Sequence, residues 1–236
     1  MLTSPGDLDT GTTPAHIPQV DDPTVSQQDR RRRIFDAAIG AASDGGYTGV
    51  QMREIAATAG LSIRSLRRHY PSTTHLLVTA LTDELAWFDQ HWQSRLDRTS
   101  GGFTRLRMAV AGLISAMERA GHITEALTRA YALSFFRASE QAQTVRRQTS
   151  DMFVGFMRGG EADTMAHRHV ADILADVWTA NVLALVQRRA GFDDLRRQMF
   201  STIDLLDSRS TGQLPASAAT SSAGCVVEVA PTSYAR

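Results

Sequence analysis

Between Thr24 and Leu214 the chain has a single proline, Pro71, and this constrains the fold more than any other feature of the sequence. Proline breaks helices, so a stretch of this length that avoids it is free to form long ones. Its apolar residues recur at helical spacing, and no pair of alternating segments stands out as a strand hairpin. Val226, Val227 and Val229 come nearest, with too little around them to build a sheet. The expectation is an all-α chain punctuated by Gly45-Gly46, Gly60, Pro71, Gly101-Gly102, Gly121 and Gly159-Gly160.

Four regions follow from that punctuation. Residues 1–28 hold Pro5, Pro14, Pro18 and Pro23 among Gly, Thr and Asp, and are expected to be a disordered acidic arm. Residues 29–75 read as three short helices, and residues 76–207 as a larger helical domain. Residues 208–236, rich in Ser, Thr and Ala, are expected to be a disordered tail.

Within 29–75, a first helix from Asp29 to Ser43 places Ile34, Ala38 and Ala41 beside Phe35, Ile39 and Ala42. A short helix over Gln51 to Thr58 follows, then the tight turn Ala59-Gly60-Leu61, then a helix that Ser62 caps and Pro71 ends. Short helix, glycine turn and short helix is the helix-turn-helix layout. Ile55, Ala56, Leu61 and Leu66 are expected to lock its two helices together. The outer face of the second is then left with Arg64, Ser65, Arg67, Arg68 and His69, where arginine can fork onto guanine or grip phosphate. Ser62 and Ile63, at the helix start, are candidates for holding a phosphate. Arg33, Gln51, Tyr70 and Thr73 complete the predicted DNA-contacting set.

Charge supports a nucleic-acid partner only when read by region. The whole chain has net charge +0, and all its basic residues are arginine, with no lysine. Residues 29–75 carry eight arginines against four acidic residues, while the arm before them carries Asp7, Asp9, Asp21 and Asp22 and no arginine. Those aspartates are placed to compete with phosphate for the run Arg30 to Arg33.

Other classes fare worse. No phosphate-binding glycine loop, nucleophile turn or Cys/His nucleophile pair is present, so neither an enzyme nor a cofactor is expected. The single Cys225 rules out an internal disulfide. His167 and His169 lie two apart on a helix and diverge, so with Asp172 they read as surface groups rather than a metal site. No apolar run long enough to span a membrane stands out, and no signal peptide opens the chain, so a cytoplasmic protein is expected.

The stretch from Arg33 to Leu81, with MREIAATAGLS and HYPS followed by HLL as its most specific parts, resembles the DNA-binding domain of the TetR family of repressors. That resemblance implies an all-helical homodimer, with an N-terminal DNA-binding domain on a double-stranded operator and a C-terminal ligand-binding domain. Three positions depart from the family pattern. Arg67 replaces a usual phosphate-contacting tyrosine, Arg64 a small residue, and Thr73 a phosphate-binding lysine. Phosphate contacts are therefore expected to be redistributed onto arginine. A helical lipid- or acyl-CoA-binding protein that has lost DNA binding is the alternative these departures leave open.

Beyond residue 103 the expected helices are 103–119, 122–136, 139–158, 164–189 and 192–206. The last two are apolar enough to pair with their symmetry mates in a four-helix dimer interface. Tyr131, Phe135, Phe136, Met152, Phe153, Phe156 and Trp178 form an aromatic and methionine-rich set that reads either as plain core or as the lining for a bulky hydrophobic effector, and Asn181 either orients that effector or bonds a neighbour. Arg137, Arg146 and Arg147 are candidates for phosphates at the mouth. ITEALTRAY, DMFVGFMRG and ADVWTANVLALVQRRAGFDDLRRQM are similar to the KstR-type branch of the family, which implies a sterol-derived or other acyl-CoA thioester as effector.

Overall fold

The computed structural model describes residues 23–96, 101–159 and 164–210. Nine α-helices account for nearly all of these: α1 Pro23–Gly49, α2 Met52–Thr58, α3 Ile63–His69, α4 Thr73–Leu96, α5 Gly102–Arg119, α6 Gly121–Arg137, α7 Ser139–Arg158, α8 Met165–Val186 and α9 Phe192–Ser210. No strand occurs among the described residues. Most boundaries fall within a residue or two of those read from glycine and proline.

The exceptions are at the ends. α1 starts at Pro23, six residues before the expected Asp29, because proline suits a helix start that has no N–H to satisfy. The segment 23–28 is therefore helical rather than part of a disordered arm. Residues 1–22 and 211–236, with Asp7, Asp9, Asp21, Asp22 and Cys225, lie outside the described residues. At its other end α1 is interrupted as expected. Gly45 and Gly46 leave helical geometry, and Gly46 takes φ +58, a left-handed backbone that side chains resist.

α1, α2 and α3 close on one small core. Ile34, Phe35, Ala38 and Ala42 of α1 are buried with Ile55, Ala56 and Leu66, while Leu61 is half-buried against them. α4 belongs to both halves of the molecule. Its first turns bury Thr74, Leu76, Leu77 and Val78, where Thr74 hydrogen-bonds Tyr47 of α1 at 3.0 Å. Its later turns carry Leu85 and Phe88 into the core made with α5 to α8.

α8 is long and apolar enough to cross a membrane by length and composition, a segment the sequence reading had not singled out. It packs in the helical core through Leu174, Trp178 and Val182, and its Asp172 and Asp176 meet Arg146 of α7. α9 buries Leu195, Met199 and Ile203. Only part of the apolar stripes of these two helices is buried within one chain: Val170, Val177, Leu185, Val186, Phe192, Phe200 and Leu206 stay half-buried. Ile173 and Leu205 remain exposed on their outer faces.

Candidate DNA-binding surface and effector cavity

The α2–α3 turn is built by hydrogen bonds that only a flexible residue permits. Leu61 N–H reaches back to Ala56 O at 2.8 Å, and Gly60 stands between them at φ +70. Ser62 then adopts extended backbone, and its Oγ accepts from Ser65 N–H at 3.1 Å, capping α3. Leu66 is fully buried, which fixes the roll of α3 about its axis. Arg64 and Arg68, one turn apart, therefore share the opposite face with Arg67 beside them, and all three are exposed. None has a hydrogen-bond or ion-pair partner among the described residues.

The other predicted contacts surround this face unevenly. His69 is exposed, and Gln51 is exposed at the start of α2, its carbonyl accepting from Ile55 N–H. Ile63 and Thr73 are half-buried, with Ile63 packed against the core. Tyr70 packs edge-on against Phe35 at 5.8 Å, and burial pushes its phenol above the ordinary range. Arg33 is exposed on α1, where it edges a cleft with Asp36, Asp44 and Glu54. In the run Arg30 to Arg33, Arg31 is exposed but engaged within the chain. It grips Asp83 of α4 through two bonds of 2.6 and 3.1 Å and lies over the Phe35 ring.

A cavity of about 160 Å³ opens among α4 to α8. Leu81, Leu85 and Phe88 come from α4, Leu113 and Met117 from α5, and Ile123, Leu127 and Tyr131 from α6, with Trp178 and Val182 from α8. Of the expected lining, Tyr131 and Trp178 are there. Tyr131 is buried, which raises its phenol, and its hydroxyl shares a bond of 3.2 Å with Thr179.

The rest of the expected lining sits elsewhere. Met152, Phe153 and Phe156 are in the closed core of α7, where Phe153 meets Trp178 edge-on and Phe156 meets Phe88. Phe135 and Phe136 are exposed at the end of α6, Phe136 at 90%. Asn181 is buried but donates to Val177 O within its own helix at 2.8 Å. Arg146 binds Asp176 through bonds of 2.6 and 2.9 Å, whereas Arg137 and Arg147 are exposed. The sequence reading missed the α4 wall. Its signal was a lone charge, Glu84, set in the stripe Leu77, Leu81, Leu85, Phe88.

α6 separates this cavity from the DNA-binding half and touches both. Tyr47 N–H, just past the α1 break, donates to Glu125 at 2.8 Å, and the His122 ring meets Ser43 O at 3.0 Å. Arg129 pairs with Glu125 at 3.3 Å and covers the Tyr47 ring. The same turns of α6 present Ile123, Thr124, Leu127 and Thr128 to the cavity.

An α2–turn–α3 unit with outward arginines, joined through α4 and α6 to a cavity-bearing helical domain, has the layout of a helix-turn-helix DNA-binding regulator. Family profiles agree over both halves. "Bacterial regulatory proteins, tetR family" matches residues 34–80, and "Tetracyclin repressor-like, C-terminal domain" matches residues 104–206. The chain is 37% identical over 181 residues to the HTH-type transcriptional repressor KstR of Mycobacterium tuberculosis, covering 77% of this chain and 82% of that one. With the KstR of Rhodococcus jostii it is 32% identical over 206 residues, 87% of this chain and 96% of that protein. Among solved structures it resembles Thermus thermophilus FadR, a TetR family repressor in complex with lauroyl-CoA, with TM-score 0.62 and 19% identity over 82% of this chain and 100% of the other. The chain belongs to the tetR family of bacterial regulatory proteins.

Proposed function

We propose that this chain is a dimeric transcriptional repressor that binds a palindromic operator through α3 and leaves it when a bulky hydrophobic effector, an acyl-CoA thioester of a sterol-derived or similar acid, enters the α4–α8 cavity. The observation that carries this reading is the outward, unpartnered set Arg64, Arg67 and Arg68 on a helix anchored by Leu66. Unpaired guanidiniums offer their fork to guanine edges and phosphates with no internal bond to break first. Two copies present two such helices, and a two-fold dimer demands a two-fold operator. The exposed Ile173 and Leu205 on α8 and α9 suit the dimer contact.

Release follows from size. Ligand pockets run to roughly 300–1,000 Å³, about two to six times the present cavity. A sterol- or acyl-sized ligand enters only by pushing its walls apart, and α6 is one of those walls. Moving α6 strains the Glu125–Tyr47 and His122–Ser43 contacts that hold α1, and so re-aims α3. A coupling of about 1–3 kcal/mol changes operator affinity roughly five- to 150-fold. The relatives named KstR repressors, and the FadR neighbour that binds lauroyl-CoA, support repression and the effector class.

The test is capture of sheared genomic DNA of the source organism by the purified protein, followed by a salt titration on the recovered site. A shared palindrome, bound with affinity that falls steeply with salt and is released by an acyl-CoA, is the expected result. Enrichment of nothing at low salt overturns the DNA-binding reading. Enrichment with no response to acyl-CoA overturns the effector alone.

A further inference from the structure

The cavity wall is apolar apart from a few groups, and those groups differ in one respect. Thr124 donates to Met117 O at 2.7 Å, Thr128 to Thr124 O at 2.6 Å and Thr149 to Val145 O at 2.9 Å. Tyr131 is engaged with Thr179. Among the described residues of the lining Glu84 is the one charged side chain, and it receives no hydrogen bond from any of them. It stands at the solvent edge of the cavity, on the same helix as Asp83. The neighbouring Asp83 is held by Arg31 of α1. The Glu84 side chain stays open to solvent, yet partial burial, and then the charge of Asp83, push its carboxyl above its ordinary range, and no described residue pairs with it.

We propose that Glu84 selects the effector: the cavity takes an apolar body whose polar end presents a hydrogen-bond donor, an alcohol O–H or an amide N–H, and rejects a free carboxylate. This rests on the cavity being the effector site. A partly desolvated carboxylate can only accept, so a donor satisfies it, whereas a ligand carboxylate would set two like charges side by side. An acyl thioester carrying amide N–H groups meets the requirement; the corresponding free acid does not.

The test uses the full-length protein at about pH 8, where an ordinary carboxylate is ionised. N-phenyl-1-naphthylamine, a neutral fluorophore, reports cavity occupancy. Decan-1-ol, decanamide and decanoate then compete for it in the parent and in Glu84→Gln. An anion enters any apolar pocket less readily than an alcohol, so the decisive quantity is how the ratio of neutral to anionic competitor strength changes. We expect the substitution to cut that ratio by about tenfold, chiefly by improving decanoate, as loss of one like-charge contact predicts. Stronger competition by decan-1-ol than by decanamide assigns the donor as a hydroxyl, and the reverse order assigns it as an amide. A fluorophore that binds with the same ratio in both proteins overturns the role of Glu84 and leaves the cavity reading standing. A fluorophore that does not bind overturns the cavity reading, and the role of Glu84 with it.

Discussion

On α3, Arg64, Arg67 and Arg68 stand exposed without an ion-pair partner among the described residues. On α5 to α9, Arg107 engages Asp204, Arg146 Asp176, Arg168 Asp151, Arg196 Glu118 and Asp193, and Arg197 Asp194. The side chain is the same and the sequence spells both sets alike. The difference is in what the neighbouring helices supply. In the C-terminal half, helices packed side by side bring carboxylates opposite Arg107, Arg146, Arg168 and Arg196 and stitch α7 to α8 and α5 to α9, while Arg197 pairs within α9 and Arg137 and Arg147 stay exposed. α3 packs on one side only, and its outward arginines meet no carboxylate among the described residues. One set holds the fold together; the other is kept available for an outside anion.

Breaking the available set gives the largest effect. Arg64→Ala, Arg67→Ala and Arg68→Ala together should weaken operator binding by more than about 100-fold, since a single base-contacting arginine contributes about 1–3 kcal/mol. The melting temperature should hardly move, and a large drop in it would merge the two classes of arginine.

Arg146→Ala addresses the stitching set and should behave in the opposite way. It should lower stability by up to about 1 kcal/mol, as for a well-aligned pair near the surface, and leave operator affinity at the parent level. The Arg146 hydrogen bond holds the Asp176 carboxyl below its ordinary 3.8. A depressed carboxylate pKa stabilises the folded state above the unfolded value and ceases to do so as pH falls through the folded one. The gap between parent and variant, followed by thermal melting, should therefore be full at neutral pH and close in strong acid.

Glu125→Gln tests the contact between the two halves. Removing the charge from the bond to Tyr47 N–H should shrink the effector-induced change in operator affinity by roughly two- to threefold, about the net weight of one hydrogen bond. An undiminished response would mean that the signal bypasses α6.

The smallest effect is expected at Glu84. Its carboxyl is raised, so the parent is relatively more stable when that group is protonated and loses the advantage as pH rises through the folded value. Glu84→Gln should melt slightly higher than the parent at neutral pH, with the difference vanishing toward the ordinary 4.5 and below. A variant that melts lower at neutral pH would show that the carboxylate has a partner after all.

Much of this molecule was legible before any coordinates. Glycine and proline act locally, through backbone freedom and a missing N–H, so Gly60, Pro71 and Gly159 marked helix ends without reference to the rest of the chain. The cavity was not legible to the same degree. Met152, Phe153 and Phe156 have the composition of a ligand lining and form closed core instead, because an aromatic stripe states that a face is buried and not what buries it. The start of α1 was missed for a similar reason: Pro23 belongs by composition to the proline-rich sequence before it and by geometry to the helix it opens.

The sequence alone determined the all-helical order, the helix-turn-helix and the outward arginines of α3, because each rests on periodicity or a turn within a few residues. Tertiary structure decided which arginines are stitched to carboxylates, that Glu84 shares a cavity with Tyr131 and Trp178, and that α6 lies between that cavity and Tyr47. Those arrangements join residues tens of positions apart, and the packing of whole helices, rather than any local preference, brings them together.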